Sequence, residues 1–348
     1  MLYQTPNPHG GDLYTRPVEL DFSVNTNPLG TPRAVVEAVR DAAGSLCRYP
    51  DPCCRELTAA LAEYEDVPED HILCGGGAAE LIYAYCRAIG ARTALVTAPA
   101  FSEYAAALEA EGCWVLSHPL READGFGVTG AFLWALEDTP AEAVFLCNPN
   151  NPTGRLIRED LLEEICRLCR DRGIRLFVDE CFLDLSDGGR DASLTDRLEE
   201  YPGLFLLKAF TKTYGMAGLR LGYCLSGDRA LLARMSRGTQ PWNVSLPAQR
   251  AGMAALGERE FLRQSRKLIQ EERPWLAARL EESGFRVCPS QANYLLLKSG
   301  RELAAPLLEQ GILIRDCSNY TGLGPGWYRT AVKTRGENQR LVAALTEI

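Results

Sequence analysis

A lysine set just beyond a buried strand is the residue of this chain best suited to covalent chemistry. Lys212 follows an apolar run at 204–207 and a short turn that carries Thr211. Partial loss of hydration there lowers the pKa of an amine and frees its lone pair to attack a carbonyl. Arg220, in the glycine-punctuated stretch that leads to the next strand, offers a planar fork suited to a phosphate. Amine and fork together suggest an aldehyde cofactor that carries a phosphate, namely pyridoxal 5'-phosphate.

Three upstream stretches supply complementary groups. Asp179 ends the run Arg175-Leu-Phe-Val-Asp, so its carboxylate emerges from a buried strand into a confined space and calls for a cationic partner. A pyridinium nitrogen is such a partner, and an ionised Asp179 would keep that nitrogen protonated. The loop Asn148-Pro-Asn-Asn-Pro-Thr-Gly154 holds two Asn-Pro steps, which favour a rigid, non-helical path, and Asn151 can donate to a phenolate oxygen. Gly75-Gly-Gly-Ala78-Ala79 precedes a helical stretch, so its backbone amides meet the positive end of a helix dipole and form an anion site.

These residues need a frame. The chain has 348 residues, with 46% apolar and 24% charged, which is the composition of an ordinary globular protein large enough for one large and one smaller domain. A net charge of -9 leaves no footprint for nucleic acid or an anionic membrane. No apolar run is long enough to span a bilayer and the start lacks a signal-peptide pattern, so a cytoplasmic protein with reduced thiols among its 13 cysteines is expected. Cys166 and Cys169 form a CxxC within a helical apolar stripe and are read as core, as are Cys53 and Cys54.

Apolar runs at 93–97, 113–116, 143–147, 175–178, 204–207 and 221–226 alternate with helical stretches, which predicts a mostly parallel sheet covered by helices on both faces. Phe101, Asn151, Asp179 and Lys212 all follow the carboxyl ends of such strands, where ligands sit in these sheets. A helix is predicted over 32–46, with Thr31 as its cap, and a long helical stretch over 248–283 breaks or kinks at Pro274. Short strands at 285–288, 292–298, 311–315 and 328–332, with helices at 301–309 and 337–345, predict a small α+β domain. The expected division is an N-terminal arm over 1–30 that packs with the small domain, a large domain over 31–245 and the small domain over 246–348.

In this order, strand, NPNNPTG, helix, strand, VDE, strand and TK with a following arginine, the chain resembles the fold-type I pyridoxal-phosphate enzymes of the aspartate aminotransferase superfamily over nearly its whole length. The resemblance implies that Lys212 links to the cofactor aldehyde, Asp179 pairs with the ring nitrogen, Asn151 bonds the ring oxygen and Phe101 stacks on the ring. It implies a phosphate held by the amides of Ala78 and Ala79, the hydroxyl of Thr211 and the fork of Arg220, with Tyr49 reaching it from a second copy in a homodimer. Two places depart from the family pattern: Ala78 and Ala79 stand where a Ser or Thr is frequent, and Phe182 stands where many members have a tyrosine.

Within the superfamily two branches are nearest, threonine-phosphate decarboxylases of cobalamin biosynthesis and histidinol-phosphate aminotransferases. The stretches HGGD, LDFSVNTNPLG, VDECFLDL, QPWNVS and GILIRDCSNYTGLG are more similar to the decarboxylases. That resemblance implies Arg329 on the substrate carboxylate, Arg315 on the substrate phosphate and His9 and Asn27 as helpers. The implied reaction is decarboxylation of O-phospho-L-threonine, with phosphoserine as substrate or transamination of histidinol phosphate as the alternatives.

Overall fold

The computed structural model describes residues 9–15 and 17–348. Its centre is a seven-stranded sheet in the order Ile72–Gly75, Gly222–Leu225, Leu204–Ala209, Arg175–Asp179, Ala143–Cys147, Thr93–Ala98 and Trp114–Pro119. All pairings are parallel except the two made by Gly222–Leu225. The near-continuous apolar runs follow from burial on both faces. Phe145, Phe177 and Phe205 stand opposite one another in register and stack in sequence, with ring centroids 4.6 and 5.2 Å apart, on one face. Val144, Leu146, Leu176, Val178, Leu204 and Leu206 alternate to the other face, where Cys166 and Cys169 of the helix Glu159–Arg172 join the same core. Cys54 is also buried there, whereas Cys53 is exposed, so the expectation of core packing fails at that residue.

A second, antiparallel sheet runs Arg315–Asp316, Trp327–Ala331, Tyr294–Lys298, Arg286–Val287. Leu20–Asp21 pairs in parallel with Ile312–Leu313, and Phe22 enters the core beneath this smaller sheet. Residues 1–8 and 16 of the expected arm lie outside the described residues. The single strand expected at 311–315 is thus two strands in different sheets.

Three local expectations change. The first helix is Arg33–Ala42, and Thr31 does not cap it: its hydroxyl donates to the Gly215 carbonyl at 2.8 Å, bracing the turn beyond Lys212. The long helical stretch is two helices, Leu246–Leu256 and Arg259–Glu282, parted at Gly257; the second runs through Pro274, which forgoes one backbone donor without ending it. Ala248, Ala251 and Ala255 of the first helix pack into the large core, so the small residues that allow this close approach belong with the large sheet and not with the smaller one. The last helix begins earlier than its apolar pattern suggests, at Arg335, because Thr334 and Glu337 form a capping box.

Candidate active site

Four strand ends converge on one cavity of about 230 Å³, and Phe101, Asn151, Asp179 and Lys212 all line it. Lys212 stands on the single-turn helix Phe210–Thr213 that follows Leu204–Ala209. Burial, then the nearby charge of Arg329, pulls its pKa down to about 8, so a substantial share of the amine is neutral near physiological pH. Among the described residues no hydrogen bond is made by its Nζ, which lies 5.6 Å from the centre of the Phe182 ring. The unfolded chain holds this proton to about 10.5 while the folded chain releases it near 8, so between those values the unfolded state binds more protons. Stability of the cofactor-free protein is therefore expected to rise with pH across that window, by at most about 3.5 kcal/mol. Denaturant titrations should show the rise flattened in Lys212→Met; an unchanged slope would refute the assignment.

Asp179 is buried, and burial holds its pKa above the usual carboxylate range. Its Oδ2 accepts from the Tyr104 hydroxyl at 2.6 Å and its Oδ1 from the Cys181 amide at 2.9 Å. Among the described residues it forms no ion pair, so a cation arriving in the cavity would meet an uncompensated buried carboxylate. Asn151 is buried as well. Its Oδ1 accepts from Arg329 Nη1, and among the described residues its NH2 group has no acceptor. Phe101 packs edge-on against Tyr104 at 5.6 Å.

The anion cradle lies at the same cavity. Ala78 opens the helix Ala78–Ile89 after Gly77, whose φ of 102° favours glycine. A Cβ at Gly77 would sit 2.5 Å from Arg220 Nη2, and one at Gly222 would sit 2.8 Å from the Ala78 amide nitrogen. The backbone has thus been pared away where the guanidinium and the helix start approach each other. Thr211, Arg220, Ala78 and Ala79 all line this end. A set of amides, a hydroxyl and a guanidinium fits a phosphate, and Asp179 fits a protonated ring nitrogen, so the residues present suit pyridoxal phosphate.

At the other end, Arg329 is buried in Trp327–Ala331 and donates to Asn151 Oδ1 and to the Ser23 carbonyl, the latter at 2.7 Å, while its Nε is buried without an acceptor. Arg315 stands directly opposite it in register, bonded to the Asp316 carbonyl at 2.6 Å and to Asn319 at 2.8 Å. His9 also lines the cavity and pairs with Glu103 at 2.9 Å.

One expected residue lies elsewhere. Asn27 does not line the cavity: its Nδ2 donates to the Thr213 carbonyl at 2.8 Å and to Ser265 at 2.7 Å, and its backbone amide to the Lys212 carbonyl at 3.0 Å. Its amide group is spent holding the lysine turn. Tyr49, expected to act in the cavity of a second copy, is 78% exposed, its ring tilted against that of Trp242 at 4.6 Å, and does not line the cavity of its own chain. Sequence reasoning missed Asn25, which lines the cavity with both polar side-chain atoms buried and unpartnered, and Tyr104. Asn25 shares the SVNTN stretch with Asn27, so the stretch carries the signal and its turn decides which asparagine faces the cavity.

A mostly parallel sheet whose strand ends gather a depressed-pKa lysine, a buried carboxylate and a phosphate cradle defines a pyridoxal-phosphate enzyme of the aminotransferase fold, and residues 17–345 match the aminotransferase class I and II family. The chain belongs to that family. It is 40% identical over 334 residues to the threonine-phosphate decarboxylase of Salmonella typhimurium, covering 94% of this chain and 91% of that one. It is 32% identical over 327 residues to the histidinol-phosphate aminotransferase of Methanosarcina mazei, covering 92% and 85%. The histidinol-phosphate aminotransferase structure from Clostridium acetobutylicum superposes with a TM-score of 0.87 at 28% identity, covering 94% of this chain and 98% of that one. The chain is accordingly a pyridoxal-phosphate-dependent enzyme. Among the described residues no helix is long and apolar enough to cross a membrane.

Proposed function

We propose that this enzyme removes carbon dioxide from O-phospho-L-threonine to give aminopropanol phosphate. The observation that carries the reading is the pair Arg315 and Arg329, opposite each other on neighbouring strands and both opening into the cavity of Lys212. Like charges directly opposite are unfavourable in a sheet unless an anion lies between or beyond them. A small substrate bearing both a carboxylate and a phosphate uses both forks. The greater identity to the Salmonella decarboxylase than to the Methanosarcina aminotransferase supports the same choice.

In this reading Arg220, Thr211 and the amides of Ala78 and Ala79 would hold the cofactor phosphate, Asp179 would keep the ring nitrogen protonated, Asn151 would donate to the ring oxygen and Phe101 would cover the ring. Lys212 would link to the cofactor aldehyde, and its amine would be the group that returns a proton to the alpha carbon of the substrate. Arg329 orients the carboxylate, while Arg315, His9 and Asn25 receive the phosphate. Pyridoxal phosphate, when bound, supplies the electron sink for the broken bond. Tyr49, exposed here, completes the cradle of a second copy in a homodimer.

Histidinol phosphate lacks a carboxylate, so it offers one anion where this site has two arginines. Transamination of it is the second reading, favoured by the similarity to the Clostridium structure. Incubation with phosphothreonine is expected to release carbon dioxide without forming glutamate, whereas histidinol phosphate with 2-oxoglutarate should yield none. Glutamate formation at a comparable rate would overturn the decarboxylase reading.

A further inference from the structure

Outside the active site lies a wider cleft, of about 630 Å³, between Tyr64, Arg190 and the first turns of the helix Arg259–Glu282. Arg259, Arg263, Arg266 and Lys267 of that helix line it together with Arg190. Their spacing puts them on one helical face, where like charges three or four apart repel. Cations in the first turns also oppose the helix dipole, whose positive end is here. In a chain of net charge -9 this face is a local reversal of sign.

Neighbouring acids offset only part of it. Glu260 holds Arg263 with contacts of 2.6 and 2.7 Å, Glu65 is 3.3 Å from Arg190, and Glu271 is 3.9 Å from Lys267. Among the described residues Arg259 and Arg266 have no carboxylate partner. Arg190 Nη1 and Arg266 Nε are buried with no acceptor. The backbone also makes room for this arrangement: a Cβ at Gly189 would sit 2.6 Å from the Arg266 guanidinium, and Gly189 has a φ of 55°. Arg190 Cζ lies over the Tyr64 ring, 3.9 Å from its centre, which covers that aromatic face.

We propose that this cleft is a second binding site, for an oligophosphate, either free or as the tail of a nucleotide. Guanidinium forks match phosphate oxygens two at a time, and the cleft is of ligand size. With the Tyr64 ring already covered, recognition falls on the phosphate chain and not on a base. The same helix carries Ser265, which accepts from Asn27, whose backbone amide bonds the Lys212 carbonyl, so the helix that lines the cleft is joined by two hydrogen bonds to the lysine turn.

Calorimetric titration of the cofactor-loaded enzyme with tripolyphosphate, and separately with adenosine triphosphate, tests this. Tripolyphosphate is expected to bind, with affinity falling about tenfold in Arg266→Ala, falling also in the exposed pair Arg259→Ala with Lys267→Ala, and surviving in Arg315→Ala. Equal binding of the two probes assigns free oligophosphate as the ligand, and tighter binding of the nucleotide assigns the nucleotide. Binding that is untouched by the cleft variants, lost only in Arg315→Ala, or matched by sodium chloride at equal ionic strength overturns the proposal. If Arg266→Ala does not fold, the exposed pair decides.

Discussion

Replacing Lys212 by alanine is expected to reduce turnover by roughly 10³-fold or more, because one side chain supplies both the amine and the proton transfer. Lys212→Arg should be as inactive. A guanidinium keeps the positive charge between Asp179 and Arg329 but stays protonated and cannot attack a carbonyl. The pair of variants therefore separates a nucleophilic lysine from an electrostatic one. Both should still bind cofactor, since Arg220, Thr211 and the helix start are untouched, yet neither should retain it through denaturation as the parent does. The measurement is the fraction of cofactor that stays with the unfolded chain after borohydride reduction. Retention in Lys212→Ala, or turnover within tenfold of the parent in either variant, would place the covalent chemistry at another residue.

The placement of this site was legible because strands buried on both faces must be apolar throughout, so their ends are conspicuous wherever polar residues begin. Asp179, Asn151 and Lys212 each mark such an end, and the topology brings those ends together at one cavity. What stayed hidden depends on turns and register. The turn around Asn27 decides that Asn25 lines the cavity while Asn27 braces the lysine turn, and composition cannot make that choice. Thr31 looks like a helix cap until the Gly215 carbonyl claims its hydroxyl. The opposition of Arg315 and Arg329 requires the antiparallel register between their two strands, which side-chain periodicity alone does not set. Tyr104 reaches Asp179 only because the helix Glu103–Ala110 packs back over the sheet.

Least visible of all was a charged cluster beneath the lysine turn. Lys208 belongs to the same strand as the run that leads to Lys212, yet its Nζ is buried 3.0 Å from Glu65 and 3.5 Å from Glu180. Tyr223 also donates to Glu65, and Thr213, next to Lys212, lies 3.5 Å from Asp184. Burial opposes the lysine charge, but Glu180, Glu65 and Asp184 outweigh it and hold the ammonium above its usual pKa. Burial likewise raises Glu180 and Asp184, with Lys208 pulling the other way. Lys208→Met keeps the length of the side chain and removes its charge, which leaves buried carboxylates without their central partner. Such a loss typically costs about 3–5 kcal/mol, so thermal unfolding should fall by roughly 5 °C. Adding Glu180→Gln to Lys208→Met should recover part of that loss, because among the described residues Lys208 is the one cation ion-paired with Glu180, whereas Glu65 keeps Arg190 at 3.3 Å. This recovery distinguishes electrostatic frustration from a packing defect, which a second substitution would only deepen. A double variant no more stable than Lys208→Met alone would show that packing, and not charge, fixes this layer under Lys212.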